Sequence, residues 1–275
     1  MKNSFQIAGG SIPGTDHTLP GSPGWKNNQD AYHIVSTNTM TLGIISDGCG
    51  EGMSSEVGAK LSVRMLSPII EKLLPRYEEK FGAPYIGEST FFKRVREDFT
   101  AELRVLANKM GDSMTDIVTN YFSFTIIGFL ITKDWVHTFS IGDGFIQVND
   151  ERKKLGPFPD NAPPYIGLAL REVVIPFTVH RYVSSDIDRI LIATDGIDHL
   201  FDAIGEKNPN GLWTIEDPKI FLNTPLFFKK MDGIRGRLAI YNTEHVVNEN
   251  GSVFLKKGLL KDDVTIVAVK RIHKP

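Results

Sequence analysis

Three apolar, β-branched runs stand almost end to end in this chain: SFTIIGFLIT (123–132), WVHTFSI (135–141) and FIQVN (145–149). Only Lys133-Asp134 and the triplet Gly142-Asp143-Gly144 separate them. A parallel crossover needs a dozen or more residues, so links this short force neighbouring strands to run antiparallel. Further strand-like runs lie at TMTLGIIS (39–46), REVVIPFTVHRYV (171–183), DRILIAT (188–194) and VTIVAVKRI (264–272), with a short one near Phe5–Ala8.

Elsewhere the period changes. Val57, Leu61, Met65, Ile69 and Leu73 recur every four residues and predict a helix from Ser54 to about Leu74, with Ser54 or Ser55 as its cap. Phe92, Val95, Phe99, Leu103, Leu106 and Met110 fit one face of a second helix, and a third is expected around 225–241. Such stripes need a partner layer to cover them. The order of elements therefore predicts an α+β fold, with helices covering the outer faces of packed antiparallel sheets. KKLGPFPDNAPPYIG (153–167) is Pro-rich and reads as an exposed loop or flap at about 150–170.

Composition narrows the setting. The chain has 275 residues, 41% hydrophobic and 23% charged, and a single domain spanning 1–275 is expected. A net charge of −2 gives no footprint for nucleic acid or an anionic membrane, so neither is expected as a partner. One cysteine excludes an internal disulfide framework and favours a reducing compartment. The start lacks the apolar core of a secretory signal, and no run approaches the ~20 apolar residues of a membrane helix. A soluble, cytoplasmic protein is expected.

The feature with chemical content is a repeated one. GIIS-Asp47-Gly48, FSIG-Asp143-Gly144 and LIAT-Asp195-Gly196 each put Asp-Gly directly after a strand. Asp262 and Asp263 stand immediately before the last strand, and Asp30 precedes the apolar AYHIV. One Asp-Gly is a common turn dipeptide, and Asp232-Gly233, with no strand before it, is read so. If the strands belong to two packed sheets, their ends can bring several carboxylates into one cleft. Carboxylates so close repel unless a cation neutralises them. Mg²⁺ or Mn²⁺, hard ions that prefer oxygen ligands, suit such a site, and glycine lets the backbone approach closely.

NQDAYHI, GIISDGCGEGMSSEVGAKL, FTIIGFLI, SIGDGFIQV, LIATDGIDHLFD and KDDVTIVAV occur in the order and approximate spacing of the type 2C serine/threonine protein phosphatases, the PPM family. The likeness runs from about Gly14 to Val269 and resembles a bacterial-style branch. It implies two packed antiparallel sheets flanked by helical pairs, with a dinuclear Mn²⁺ or Mg²⁺ centre at one end. By motif position, Asp47 would bridge both metals, Gly48 would offer its carbonyl, and Asp195 and Asp262 would complete the set. Asp30 would orient water, and Asp143 would match the acidic residue of a third, looser metal. The implied chemistry is attack of metal-activated water on a phosphoserine or phosphothreonine ester, which makes a phosphorylated protein the substrate and a cognate serine/threonine kinase a partner.

The chain departs from this pattern at several positions. Trp25 stands where the family carries a phosphate-gripping Arg; Lys26 beside it and His17 upstream are the candidate phosphate-binding groups. Lys is a point charge and lacks the bidentate fork of Arg. Gln29 replaces an acidic residue, and Cys49 stands where many members have a proton-donating His. A thiol, with reference pKa ~8.5, is the poorer acid near neutrality. Asp198 falls three residues after Asp195 where the family has an Asp at four, which leaves Asp198 either a third-metal ligand or a helix-start residue. Cys49 is not the nucleophile of a cysteine-dependent phosphatase, which needs an Arg six residues on, where this chain has Ser55. It reads as a small residue in a tight turn. Two classes of function remain open: an active metal-dependent phosphatase, with a small phosphoester as a narrower substrate variant, or a non-catalytic signalling module that binds a phosphoprotein or a partner on the same fold.

Overall fold

The computed structural model describes residues 4–18, 27–81, 88–159, 162–249 and 252–272. Two five-stranded antiparallel sheets face each other. One has the order β1 (Phe5–Ile12), β12 (Val264–Arg271), β9 (Arg189–Ala193), β6 (Gly144–Val148), β7 (Glu151–Leu155). The other runs β2 (Ala31–Ser36), β3 (Thr41–Ser46), β4 (Ile126–Ile131), β5 (Trp135–Ile141), β8 (Thr178–Val183). Side chains alternate across each strand, so one face of each sheet meets the other sheet and one meets helices. Ile45, Ile127, Phe129, Ile190, Ile192 and Val267 fill the space between the sheets.

Helix α2 (Ser55–Phe81) and helix α3 (Lys93–Ala107) cover the second sheet, and helix α4 (Met114–Tyr121) packs on α2. Their shared core holds Phe91, Phe92, Phe99, Phe122, Phe124 and Phe139, all essentially inaccessible. Burying a ring of this size contributes ~1.5–3 kcal/mol. Helix α8 (Gly233–Tyr241) lies on β1, with Ile234, Leu238 and Tyr241 facing inward. The expected α+β sandwich of antiparallel sheets is thus the observed one.

Several local expectations change. Helix α2 runs on past Leu74 to Phe81 despite Pro68 and Pro75, and its buried face is Ala59, Val63, Leu66, Ile70 and Leu74 together with Ile69 and Leu73. Val57 is exposed. A helix packed on a sheet and two other helices buries a face wider than a single i, i+4 row. Of the two cap candidates, Ser54 immediately precedes α2 and its carbonyl accepts from the Val57 N–H (3.1 Å), while the Ser55 hydroxyl donates to the Cys49 carbonyl (2.8 Å). Met110 lies beyond the end of α3 and is exposed.

The helix expected over 225–241 is split into α7 (Leu226–Lys229) and α8. Helix α4, capped by Ser113, and strand β7 were not expected, nor was the separate hairpin of β10 (His245–Glu249) and β11 (Ser252–Lys256). The Pro-rich stretch is only partly an exposed loop. Its start belongs to β7, Pro163 is buried, and Ile166–Arg171 forms a 3-10 turn that buries Ile166 and Leu170. No helix among the described residues is long and apolar enough to cross a membrane.

Candidate active site

The antiparallel order sends β3, the β5–β6 turn, β9 and the approach to β12 to the same end of the sandwich. Asp47 and Gly48 follow β3, Asp143 sits between β5 and β6, Asp195 follows β9, and Asp262 precedes β12. These residues line one cavity of about 370 Å³ together with His17, Gln29 and Cys49. The turn carrying Asp143 works because Gly142 and Gly144 adopt φ of +94° and +128°, values that strain any residue with a side chain. At Gly48 the backbone passes so close to Ser55 that an added Cβ would lie 2.8 Å from the Ser55 carbonyl carbon.

Neighbouring strands hold the carboxylates in place. The Asp47 carbonyl accepts from the Thr125 N–H (2.8 Å), and the Asp47 N–H donates to the Thr125 hydroxyl (3.2 Å). Asp30 is buried just behind the cavity; its Oδ2 accepts from the Thr194 hydroxyl (2.8 Å), while its Oδ1 has no partner. The Gln29 Nε2 donates to Ser55 Oγ (2.7 Å), and the Gln29 Oε1 is buried without a partner.

Asp263, treated in the sequence only as the neighbour of Asp262, proves to be the site's anchor. Its Oδ1 accepts from the Gly14 N–H (2.8 Å) and its Oδ2 from the Gln29 N–H (2.6 Å). His17, from the single turn α1 (Thr15–Thr18), places Nδ1 2.9 Å from the same Oδ2 and Nε2 3.7 Å from Asp262 Oδ1. The Nδ1 contact is an ion-pair approach off the hydrogen-bond axis. The signal in the sequence was the paired Asp262-Asp263: one faces the cavity, half exposed, and the other is turned inward, 2% exposed.

Electrostatics mark the cavity as a place for positive charge. Burial, then the charges of Asp30 and Asp195, pushes Asp47 well above the usual carboxylate range. Asp195 is raised to about 6 by burial and then by Asp262 and Asp143. Burial is also the main cause of the upward shifts at Asp30, Asp143 and Asp262. His17 is raised chiefly by its contact with Asp263, against the effect of burial. Clustered, half-buried carboxylates that disfavour one another's ionisation, with two orphaned oxygens beside them, are the donor set a divalent cation neutralises. Among the described residues, His17, Asp262 and Asp263 form the trio whose ligand atoms all lie within 4.8 Å of one another; Asp47, Asp143 and Asp195 share the cavity with Asp262 without meeting that closely.

The Asp198 carboxylate is bound to the Lys154 ammonium (2.6 Å) and does not line the cavity. It starts helix α5 (Asp198–Asp202), and its charge still reaches Asp195 and Asp143. Lys26 and Trp25 fall outside the described residues. Cys49 is a free thiol, half-buried at the cavity wall, and it faces the Tyr165 hydroxyl. Tyr165 comes from the Pro-rich stretch with Ala162 and Pro163, and burial followed by the Cys49 contact drives its pKa upward. No signal in the sequence singled out Tyr165.

No curated protein sequence matches the chain. Solved structures resemble it at low identity. A bacterial serine phosphatase aligns with 13% identity over 98% of this chain and 99% of its own, with a TM-score of 0.56. The serine/threonine phosphatase Stp1 from Staphylococcus aureus aligns with 13% identity over 98% and 96%, with a TM-score of 0.55. At such identity the likeness establishes the fold. The family model described as protein phosphatase 2C matches residues 14–217, most of the chain and all of the cavity's carboxylates except Asp262. By that match the chain belongs to the protein phosphatase 2C family.

Proposed function

We propose that the protein is a divalent-metal-dependent phosphatase for phosphoserine and phosphothreonine in proteins, acting in the cytoplasm with the whole chain as one catalytic domain. The reading rests on one observation: Asp47, Asp143, Asp195 and Asp262, from four separate segments, face a single cavity at one end of the sandwich. Asp47, Gly48, Asp195 and Asp262 are the residues that would hold two Mn²⁺ or Mg²⁺ ions, with Asp143 the candidate for a third. Such ions supply Lewis acidity and lower the pKa of water.

The chain's own groups supply the rest. Asp30, held by Thr194, presents an unpartnered oxygen that can accept a proton from water and orient it. His17, aligned by Asp263, presents Nε2 beside Asp262, where it can donate to a phosphoryl oxygen. It is one of the two phosphate-binding candidates, with Lys26, that the sequence offered. Cys49 and Tyr165 shape the wall on which the leaving side chain rests. The Pro-rich stretch that delivers Tyr165 is the flap of this reading.

Phosphate release from a phosphothreonine peptide, compared with Mn²⁺, with Mg²⁺ and with EDTA, tests the proposal. Stimulation by either ion and silence in EDTA are expected. Tight phosphopeptide binding without release in any of the three would overturn it in favour of a non-catalytic binding module.

A further inference from the structure

Strands β1 and β2 are the edges of their sheets on the same side of the sandwich, and neither is extended by another described strand. Helix α2 packs over β2 from one layer, while α7 and α8 pack over β1 from the other. Between these helical walls lies a groove of about 570 Å³, larger than the carboxylate cavity, floored by Gly9 and Tyr32. A second hollow of about 390 Å³ shares Tyr32 and Arg64 with it and leads toward Asp30 at the back of the active site.

The groove's charge is one-sided. Arg64 stands on the α2 wall, with Lys60 beside it in the second hollow, and Lys229 and Lys230 stand on the opposite wall. All four are exposed, and no ion pair joins any of them to a described residue. Among the described residues, no carboxylate lines the larger hollow. His33, on the floor, is held below its usual pKa by burial and then by Arg64, so the positive field reaches into the groove. At the rim Met231 is 93% exposed next to half-buried Phe228. A protein with a net charge of −2 has gathered around one apolar strip four cations that form no ion pair among the described residues.

We propose that this groove docks an acidic, extended segment of the phosphoprotein substrate, with carboxylates meeting Arg64, Lys60, Lys229 and Lys230 and an apolar side chain resting on Phe228 and Met231. The proposal rests on the phosphatase reading for the word substrate. Cations on opposite walls of the groove can flank an extended chain lying along the edge of β2. Docking there gives a phosphorylated residue downstream a high effective concentration at the cavity without touching the reacting groups.

The test uses the full-length protein and a fluorescein-labelled peptide of alternating Glu-Glu-Leu units, followed by anisotropy. The triple variant Arg64→Ala/Lys229→Ala/Lys230→Ala changes only exposed side chains, and an unaltered melting temperature verifies its fold. Binding is expected to weaken about tenfold in the variant and to fall with added salt. For a phosphothreonine peptide carrying the same acidic extension, KM should rise by about fivefold to tenfold while kcat and turnover of p-nitrophenyl phosphate stay unchanged. Equal binding by wild type and variant, or equal binding of a Gln-Gln-Leu peptide, would overturn the docking site. So would tighter groove-dependent binding of phosphatidylserine vesicles or single-stranded RNA. Groove-dependent peptide binding by a wild-type protein that releases no phosphate overturns the phosphatase reading instead, and leaves the docking surface standing.

Discussion

The His17 Nδ1 lies 2.9 Å from Asp263 Oδ2, and the same carboxylate receives the backbone N–H groups of Gly14 and Gln29. One buried side chain thus ties the segment after β1, the approach to β2 and the approach to β12 into one corner. Asp263→Asn keeps the shape but turns one acceptor into a donor facing a donor. We expect a loss of ~2–4 kcal/mol in urea unfolding, since buried N–H groups and a charged partner lose their acceptor. Phosphate release should fall with it, because His17 and Gln29 lose their alignment. A variant as stable as wild type would show that the anchor has been misread.

Asp47 is half-buried among like charges, so removing its charge should have opposite effects on function and on the metal-free fold. Asp47→Asn should cut metal-dependent phosphate release by more than the ~10–100-fold that a supporting residue costs. The same substitution should raise the melting temperature of the metal-free protein at pH 7 and abolish the further rise on adding Mn²⁺. An Asp47→Asn protein that melts lower than wild type in EDTA would contradict the electrostatic account.

The pH dependence of the metal-free fold follows from the upward shifts. Asp195 titrates at about 6 in the folded state against an ordinary 3.8. Between about pH 4 and pH 6 the folded protein therefore holds a proton that the unfolded chain has lost. Stability from this group is full below the unfolded value and is lost as pH rises through the folded one. Thermal melts in EDTA should show wild type losing ground to Asp195→Asn across that interval. A ligand bound only by the folded state at 100 times its Kd contributes ~2.7 kcal/mol, so saturating Mn²⁺ should reverse the loss at pH 7. A wild-type stability that climbs relative to Asp195→Asn over this range would refute the assignment.

Cys49 faces Tyr165 at the cavity wall, and Ser55 stands six residues on, where a cysteine-dependent phosphatase needs an Arg. Cys49→Ser should keep phosphate release within about threefold of wild type, whereas loss of a true nucleophile costs orders of magnitude. Trapping of a phosphocysteine after rapid acid quench would overturn the water-attack chemistry.

The site was legible where its information is local. Asp47-Gly48, Asp143-Gly144 and Asp195-Gly196 could be seen because a strand, a turn and a carboxylate occupy consecutive residues. The helix–strand alternation around them was visible for the same reason. What escaped was of two kinds. Strand β7 and the β10–β11 hairpin carry mostly exposed side chains, so burial imprints no alternation on ERKKL or SVFLK. The buried face of α2 proved wider than the predicted row, which holds Leu61, Met65, Ile69 and Leu73 of the core, because three neighbours share it.

By itself the sequence determined that short strands would pair antiparallel and that carboxylates would follow several of them, since turn length and residue spacing act within a few residues. Only the tertiary structure decided which carboxylate faces the cavity and which is buried as an anchor. Asp262 and Asp263 are adjacent in the chain, yet the second binds groups 249 and 234 residues away. Tyr165 at the cavity wall and the cations around the β1–β2 groove were decided in the same way. Contacts between segments so distant arise from packing, and no pattern within a single stretch records them.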